Sequence, residues 1–181
     1  MLPALLFFAL SSQATTVLAE QYKPWILVDT QLNKVAVMQG LKAVKTFSGI
    51  AIGRGGASRD RRNGDQTTPI GEFSIAWISD SEKYHKFLGI SYPGLEQARR
   101  ALDENRISTK NFNRIKKALD EGKLPPQDTE LGGNLGIHGL GNSDRAIHDS
   151  FNWTNGCIAL TDEQLDELSQ SVQLGTTVII R

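Results

Sequence analysis

The sequence of 181 residues predicts a mainly β fold with a few helices, in the α+β class. Short runs of β-branched and apolar residues, separated by turn residues, fill residues 25–52 and return at residues 73–78 and 176–180. Amphipathic segments with helical spacing lie between the strands, at residues 95–122, and after Thr161. Runs of both kinds in one chain of this length indicate strands and helices that share one core.

The first strands are expected to form an antiparallel meander. Trp25–Asp29 and Lys34–Met38 are β-rich runs joined by a turn near residues 30–33. The dipeptide Gln39-Gly40 makes a second turn, and residues 42–52 supply a third strand.

Residues 53–65 hold four glycines and four arginines, and this composition predicts a mobile, exposed loop. Two interpretations of the loop are open. It is either a solvated turn or a basic rim over a site whose substrate carries carboxylates, which the guanidinium fork binds well.

Residues 95–122 are predicted to be helical. Two apolar faces run through this stretch, Gly122 can close the second helix, and Pro125-Pro126 prevents its continuation. The charged faces of these helices are interpreted as solvated surface.

A last helix is predicted after Thr161, because Thr161 and Gln164 form a capping-box pattern. Leu165, Leu168 and Val172 line its apolar face, and Gly175 ends it before the strand at residues 176–180.

The first 19 residues resemble a secretory signal, with a short apolar core and small residues before a cut after Ala19. No Lys or Arg precedes that core, so a misassigned start codon or a retained anchor are the alternatives. Residues 20–181 are then expected to form one domain in the periplasm, with no transmembrane segment.

Twenty basic and twenty acidic residues give no support for nucleic acid as a partner. No metal or other cofactor is expected, because cysteine and histidine do not cluster with metal-site spacing.

Cys157 is the single cysteine of the chain, and it lies in a turn-forming run after the export signal. A lone thiol in an exported protein is either inert or reactive. His138 lies upstream, and a cysteine with a histidine is the minimum set for thiolate nucleophilic catalysis. From these two residues alone, both interpretations remain open.

Three further fragments point to a family. Thr68–Phe73, Ile137–Gly139 and Thr154–Cys157 follow one another as Thr-Pro-Ile-Gly-Glu-Phe, Ile-His-Gly and Thr-Asn-Gly-Cys. In this order they resemble the YkuD-type L,D-transpeptidase catalytic domain, over nearly the whole of residues 20–181. Within that family the closest resemblance is to the YafK-like branch of murein L,D-transpeptidase-like proteins.

The resemblance implies an L,D-transpeptidase-like β-sandwich or mixed-sheet fold, with residues 95–122 as a helical insertion that is either a lid or inert. It also implies an enzyme that acts on peptidoglycan stem peptides through a thioester and needs no cofactor. The product is a wall cross-link or an attached protein.

The family motif assigns roles to individual residues. Cys157 is the expected nucleophile, His138 the base, and the carbonyl of Gly139 the group that orients the imidazole. The turn of Thr154, Asn155, Gly156 and Cys157 is expected to supply backbone N–H donors to the oxyanion.

His148 is the competitor for the base role, and otherwise a substrate contact or a plain loop histidine. His85 is interpreted as a surface residue. Ala159 stands where many relatives have arginine, so another cation must hold the substrate carboxylate. Arg62 is the expected contact, among five candidates: Arg54, Arg59, Arg61, Arg62 and Arg145.

Two alternatives to the transpeptidase remain. The same site used hydrolytically would make an L,D-carboxypeptidase, or an amidase that releases a wall-bound lipoprotein. A non-catalytic wall-binding module belongs to another class, and the intact His138 and Cys157 argue against it.

Overall fold

An eight-stranded mixed sheet organises residues 23–181, which are the residues that the computed structural model describes. The expected export signal at residues 1–19 lies outside them. In chain order the strands are β1 (Pro24–Asp29), β2 (Lys34–Gln39), β3 (Lys42–Ser48), β4 (Ala57–Ser58), β5 (Thr68–Pro69), β6 (Gly71–Ser81), β7 (His85–Ile90), β8 (Gly136–His138), β9 (Ile158–Ala159) and β10 (Thr177–Ile180). The helices are α1 (Leu95–Asp103), α2 (Thr109–Asp120), α3 (Arg145–Ser150) and α4 (Asp162–Ser169). The predicted α+β class is confirmed.

The strand order in the large sheet is β3-β2-β1-β10-β6-β7-β8-β9. The predicted antiparallel meander of β1, β2 and β3 is confirmed. The last strand, β10, inserts between β1 and β6, parallel to the first and antiparallel to the second. The other parallel pair of this sheet is β8 with β9.

Strand β6 belongs to both halves of the sheet. Its first residues pair with β10, and from Ile75 onward it pairs with β7, with a register shift between Ile75 and Trp77. Such a shift bends a strand and increases its twist. The chain after β3 then reaches the opposite edge, where Ala51 and Ala159 exchange backbone hydrogen bonds of 3.0 and 2.8 Å. The two edges of the sheet therefore meet beside β9.

The prediction of a mobile, exposed loop at residues 53–65 is wrong for part of its length. Strand β4 pairs with β5, and Arg61 is buried, with 5% of its surface exposed. Its side chain is bound by backbone carbonyls from outside the loop, including that of Leu131, and these distant contacts are not visible in a local pattern.

The helical insertion supports that loop. Ala98, Ala101 and Ile115 are fully buried on the inner faces of α1 and α2, as the predicted helices require. Arg100 pairs with Asp60 at 2.8 Å on the outer side of the loop. The insertion is therefore packed against the loop that precedes β5.

The predicted capping box of α4 is confirmed, since Thr161 and Gln164 each accept from the other's backbone N–H. The helix ends at Ser169, however, so the prediction that Val172 continues its face is wrong. Hydrogen bonds from Ser171 to Leu168 and from Val172 to Ser169 tighten the chain into turns, which lead it into β10.

No helix within residues 23–181 is long and apolar enough to cross a membrane.

Candidate active site

Two short parallel strands bring the candidate thiol and imidazole together. In the pairing of β8 with β9, Ile137 lies opposite Ile158 and His138 opposite Ala159. Alternate residues of a strand point to the same face of a sheet. Cys157, two residues before Ala159, therefore shares a face with His138, and both side chains line one cavity of about 530 Å³.

The charged residues that line this cavity are all basic. Arg54, Arg61 and Lys83 line it, and no Asp or Glu is among its lining residues. The sequence as a whole is neutral, so the positive charge is a local property of the cavity. A surface of this kind suits an anionic ligand.

His138 is held by a hydrogen bond of 2.7 Å between Nδ1 and the carbonyl oxygen of Gly139. A carbonyl only accepts hydrogen bonds, so Nδ1 carries the proton and Nε2 is left with its lone pair. This is the contact that the family resemblance implied, and it presents the imidazole as a proton acceptor.

Gly139 has no room for a side chain. Its own N–H donates to the carbonyl of Tyr84 at 3.1 Å. A Cβ atom at this position would lie 2.3 Å from Oδ1 of Asp162 and 2.9 Å from that same Tyr84 oxygen. Glycine therefore permits the close backbone approach that fixes the carbonyl behind His138.

Aromatic rings enclose the imidazole. The ring centroids of Tyr84, Trp153 and Phe87 lie 4.3, 5.8 and 6.0 Å from that of His138, which is only 2% exposed. Burial lowers the pKa of His138 to about 4, against the opposing effect of the Gly139 carbonyl. The imidazole is therefore neutral at pH 7.

Cys157 is also neutral at rest. Burial raises the pKa of its thiol to about 11, although a backbone hydrogen bond from Gly136 and the charge of Arg61 oppose the rise. The thiol must lose its proton as it reacts.

The turn before Cys157 is closed by Thr154. The hydroxyl of Thr154 donates to the carbonyl of Cys157 at 2.6 Å and accepts from the N–H of Gly156 at 3.1 Å. Gly156 has φ of 121°, which favours glycine, and a Cβ there would lie 2.6 Å from the carbonyl oxygen of Thr67. The turn thus depends on a threonine and a glycine at these two positions.

The expectation that Gly156 donates to an oxyanion needs correction, because Thr154 already occupies its N–H. The N–H groups of Asn155 and Cys157 donate to no acceptor within residues 23–181. They are the donors of this turn that remain free, and the role of Thr154 here is to shape the turn. The side chain of Asn155 is occupied differently, since its Oδ1 accepts from Arg54 at 2.7 Å.

His148 does not line the cavity and is 4% exposed, so the expected substrate contact does not exist in this arrangement. It lies in α3, where its Nδ1 accepts from the indole N–H of Trp153 at 3.3 Å. Within the described chain its Nε2 has no hydrogen-bond partner, and burial lowers its pKa. His148 therefore supports Trp153, which in turn walls the cavity.

Arg62 is exposed and does not line the cavity, so the structure does not place it where a substrate contact was expected. Of the five arginines considered, Arg54 and Arg61 line it. His85 is an exposed residue at the start of β7 that contacts Asp166 at 2.9 Å, as its surface interpretation requires.

Lys83 and Tyr84 were missed by sequence analysis. Both lie between β6 and β7 and line the cavity, and Tyr84 contacts His138. No motif surrounds them, so only the pairing of β7 with β8 could have located them.

Residues 95–122 contribute nothing to the lining of the cavity, so the helical insertion is not a lid in this arrangement. Among residues 23–181, no group of three or more His, Cys, Asp or Glu side chains could hold a metal ion.

A family model and several solved structures match this chain. The model for YkuD, described as the L,D-transpeptidase catalytic domain, matches residues 23–180. No curated protein matches. The helical cell shape determining protein Pgp2 from Campylobacter jejuni is similar at 21% identity and a TM-score of 0.56, covering 93% of this chain and 55% of that one. Bd1075 of Bdellovibrio bacteriovorus is similar at 16% identity and a TM-score of 0.57, covering 90% and 49%.

The chain thus spans about half the length of these solved structures. At such identities their likeness concerns the fold alone, and the expected L,D-transpeptidase-like fold is confirmed. The narrower resemblance to the YafK-like branch stays a prediction.

The two shifted groups predict how stability depends on pH. In the unfolded chain His138 is protonated below its ordinary pKa of 6.5, whereas in the folded protein it stays neutral down to about pH 4. The free energy of unfolding therefore decreases as the pH falls through this window. Above 9.0, the unfolded thiol ionises while folded Cys157 stays neutral to about pH 11, so stability falls as pH rises. Each group contributes at most ~1.4 kcal/mol per pH unit to the free energy of unfolding.

Urea unfolding at pH 5, 7, 9 and 10 would measure this profile. His138→Gln should reduce the decrease in the free energy of unfolding between pH 7 and pH 5, so that only the part due to His148 remains. Cys157→Ser should reduce the decrease between pH 9 and pH 10. Unchanged slopes in these two variants would contradict the assignment.

Proposed function

This chain belongs to the YkuD family of L,D-transpeptidase catalytic domains, and we propose that it is a cysteine-dependent L,D-transpeptidase of peptidoglycan stem peptides. The proposal is carried by one observation: Cys157 and His138, which the Gly139 carbonyl orients, line the same cavity. We place the mature enzyme in the periplasm, from the resemblance of residues 1–19 to an export signal.

The first step is attack by Sγ of Cys157 on the carbonyl carbon at the L-centre of the third stem residue. Nε2 of His138 takes the thiol proton as the S–C bond forms. Because both groups are neutral beforehand, the imidazolium and the negative charge arise together in the cavity. General-base assistance is needed here, since the thiol alone is almost wholly protonated at pH 7.

The tetrahedral oxyanion requires N–H donors that are already in place. The free N–H groups of Asn155 and Cys157 serve this purpose, while Thr154 keeps the turn in shape. Loss of one such donor typically removes ~3 kcal/mol of transition-state stabilisation.

The intermediate collapses when the C–N bond breaks and terminal D-alanine leaves as an amine that takes the proton from His138. A thioester on Cys157 remains. An amine acceptor then attacks it and forms a new amide, or water attacks it and forms a carboxylic acid. The exposed cations Arg54 and Lys83 at the cavity complement the carboxylates of a stem peptide.

The identity of the second nucleophile separates transpeptidase from hydrolase. Purified protein should convert a defined stem tetrapeptide, in the presence of an amine acceptor, into a cross-linked product and free D-alanine, read by mass spectrometry. A tripeptide as the sole product would assign the hydrolytic alternative instead. Absence of both products would exclude the proposed chemistry and leave the wall-binding module. Equal turnover by Cys157→Ala would exclude Cys157 as the nucleophile.

The two buried histidines are expected to differ in their effect on turnover. His138→Ala should lower kcat by ~100- to 10,000-fold, because it removes the base. His148→Ala should lower it far less, because this residue acts only through its hydrogen bond to Trp153. Steady-state kinetics on the tetrapeptide compare them, and an equal or larger loss in His148→Ala would reverse the assignment.

Gly139→Ala should disturb the base without removing it. The new Cβ would collide with the Tyr84 carbonyl and shift the oxygen that orients His138. A misplacement of about 1 Å near the chemistry costs ~100-fold in rate. Gly94→Ala is the matched control, because there the nearest atom is the movable end of the Gln97 side chain, at 2.7 Å. Wild-type kcat in Gly139→Ala would count against the orienting role.

A further inference from the structure

Arg61 is a buried cation whose charge is not matched by an acid. Its Nε donates to the carbonyl of Thr67 at 2.8 Å and its Nη1 to that of Leu131 at 2.5 Å. The phenol of Tyr92, whose pKa is raised by burial, is a further hydrogen-bonding neighbour of the side chain. Within residues 23–181, no carboxylate forms a salt bridge with the guanidinium. Only 5% of the surface of Arg61 is exposed, so this charge lies away from bulk solvent.

The nearby acids are engaged elsewhere. Asp60 pairs with Arg100 at 2.8 Å and with Arg106 at 3.4 Å. Asp65 accepts from the backbone of Arg62 and Thr67. The other charged neighbour is a cation, Arg106, which donates through Nη1 to the Arg61 carbonyl at 3.4 Å. None of these groups forms a salt bridge with the Arg61 guanidinium.

The guanidinium lies directly behind the nucleophile turn. Arg61 lines the cavity with Cys157, and a Cβ built on Gly156 would lie 3.3 Å from Arg61 Nε. On another side, a Cβ on Gly132 would lie 2.8 Å from Nη1. The Tyr92 ring centroid is 5.5 Å from the guanidinium carbon. The cation is therefore clamped beside the residue that precedes Cys157.

A buried charge without a counter-charge is unfavourable, and proteins retain one mainly where it serves a function. A purely structural link between the Thr67 and Leu131 carbonyls needs donors, but it does not need a charge. The catalytic cycle, in contrast, creates a negative charge next to this position, first on sulfur and then on the carbonyl oxygen of the intermediate.

We infer that Arg61 is the charge-compensating residue of the site: its fixed guanidinium stabilises the anion that forms at Cys157 during acyl transfer. The inference rests on Cys157 being the nucleophile of the proposed function. It assigns to Arg61 an electrostatic role exerted through the Gly156–Cys157 turn, separate from substrate binding by the exposed Arg54 and Lys83.

Alkylation by iodoacetamide tests this role without a peptide substrate, because only the thiolate reacts. Rates at pH 8 to 10 would be followed by intact mass on the full chain, in wild type, Arg61→Gln, Arg61→Met and Arg61→Lys. The two neutral variants should react roughly tenfold more slowly at pH 9 for each unit by which the thiol pKa rises. Arg61→Lys should restore most of the wild-type rate.

Arg62→Met is the control, since Arg62 belongs to the same loop but is exposed and does not line the cavity. It should leave the alkylation profile unchanged. Thermal unfolding of each variant identifies those that fold, and either neutral variant suffices for the comparison with lysine.

Equal alkylation rates in wild type and the neutral variants would overturn the inference, even if KM for the tetrapeptide rose. So would slowing of the same size in the lysine variant, which would indicate a structural role. A protein that alkylates as expected but does not turn over stem peptides would contradict the proposed function, while still showing that Arg61 stabilises the thiolate of Cys157.

Discussion

The parallel pairing of β8 with β9 is the constraint on which the site depends. These strands are very short, and they are held because β7 pairs with β8 on one side and Ala51 bonds to Ala159 on the other. Ile137 and Ile158 lie fully buried at their centre. This register alone puts His138 and the residue after Gly156 on one face, so each other part of the site acts by supporting it.

In the proposed mechanism, both side chains that react stay uncharged until the reaction begins. Aromatic rings and buried backbone surround His138, while the Cys157 thiol has a raised pKa. The charges that remain in the cavity are cations, carried by Arg54, Arg61 and Lys83. Such a site favours a negative charge that appears only along the reaction, which is the requirement for selective stabilisation of a transition state.

Much of the fold could be predicted because its signals are local. The β1–β3 meander follows from β-rich runs and turns, and the capping box of α4 from Thr161 and Gln164. The short strands β8 and β9 carry no periodicity that a sequence can display, and β10 enters the sheet between strands distant in the chain. The family motif pointed to Cys157 and His138, whereas propensity could not have paired them.

The rest of the site could not be predicted, because burial there is decided by distant partners. Arg61 is one of four arginines in the loop of residues 53–65, and no local pattern sets it apart from the others. Its hydrogen bonds to the carbonyls of Thr67 and Leu131 distinguish it from the exposed Arg62. The sequence around His148 is that of a loop, and only the structure shows that α3 buries this residue against Trp153.

Trapping the acyl-enzyme tests the proposed chemistry most directly. The protein is mixed with stem tetrapeptide in the absence of an acceptor, quenched in acid and digested, and the masses of the peptides are measured by mass spectrometry. The account predicts that the peptide containing Cys157 gains the mass of the donor less D-alanine. An adduct on another residue, or one that persists in Cys157→Ala, would contradict it.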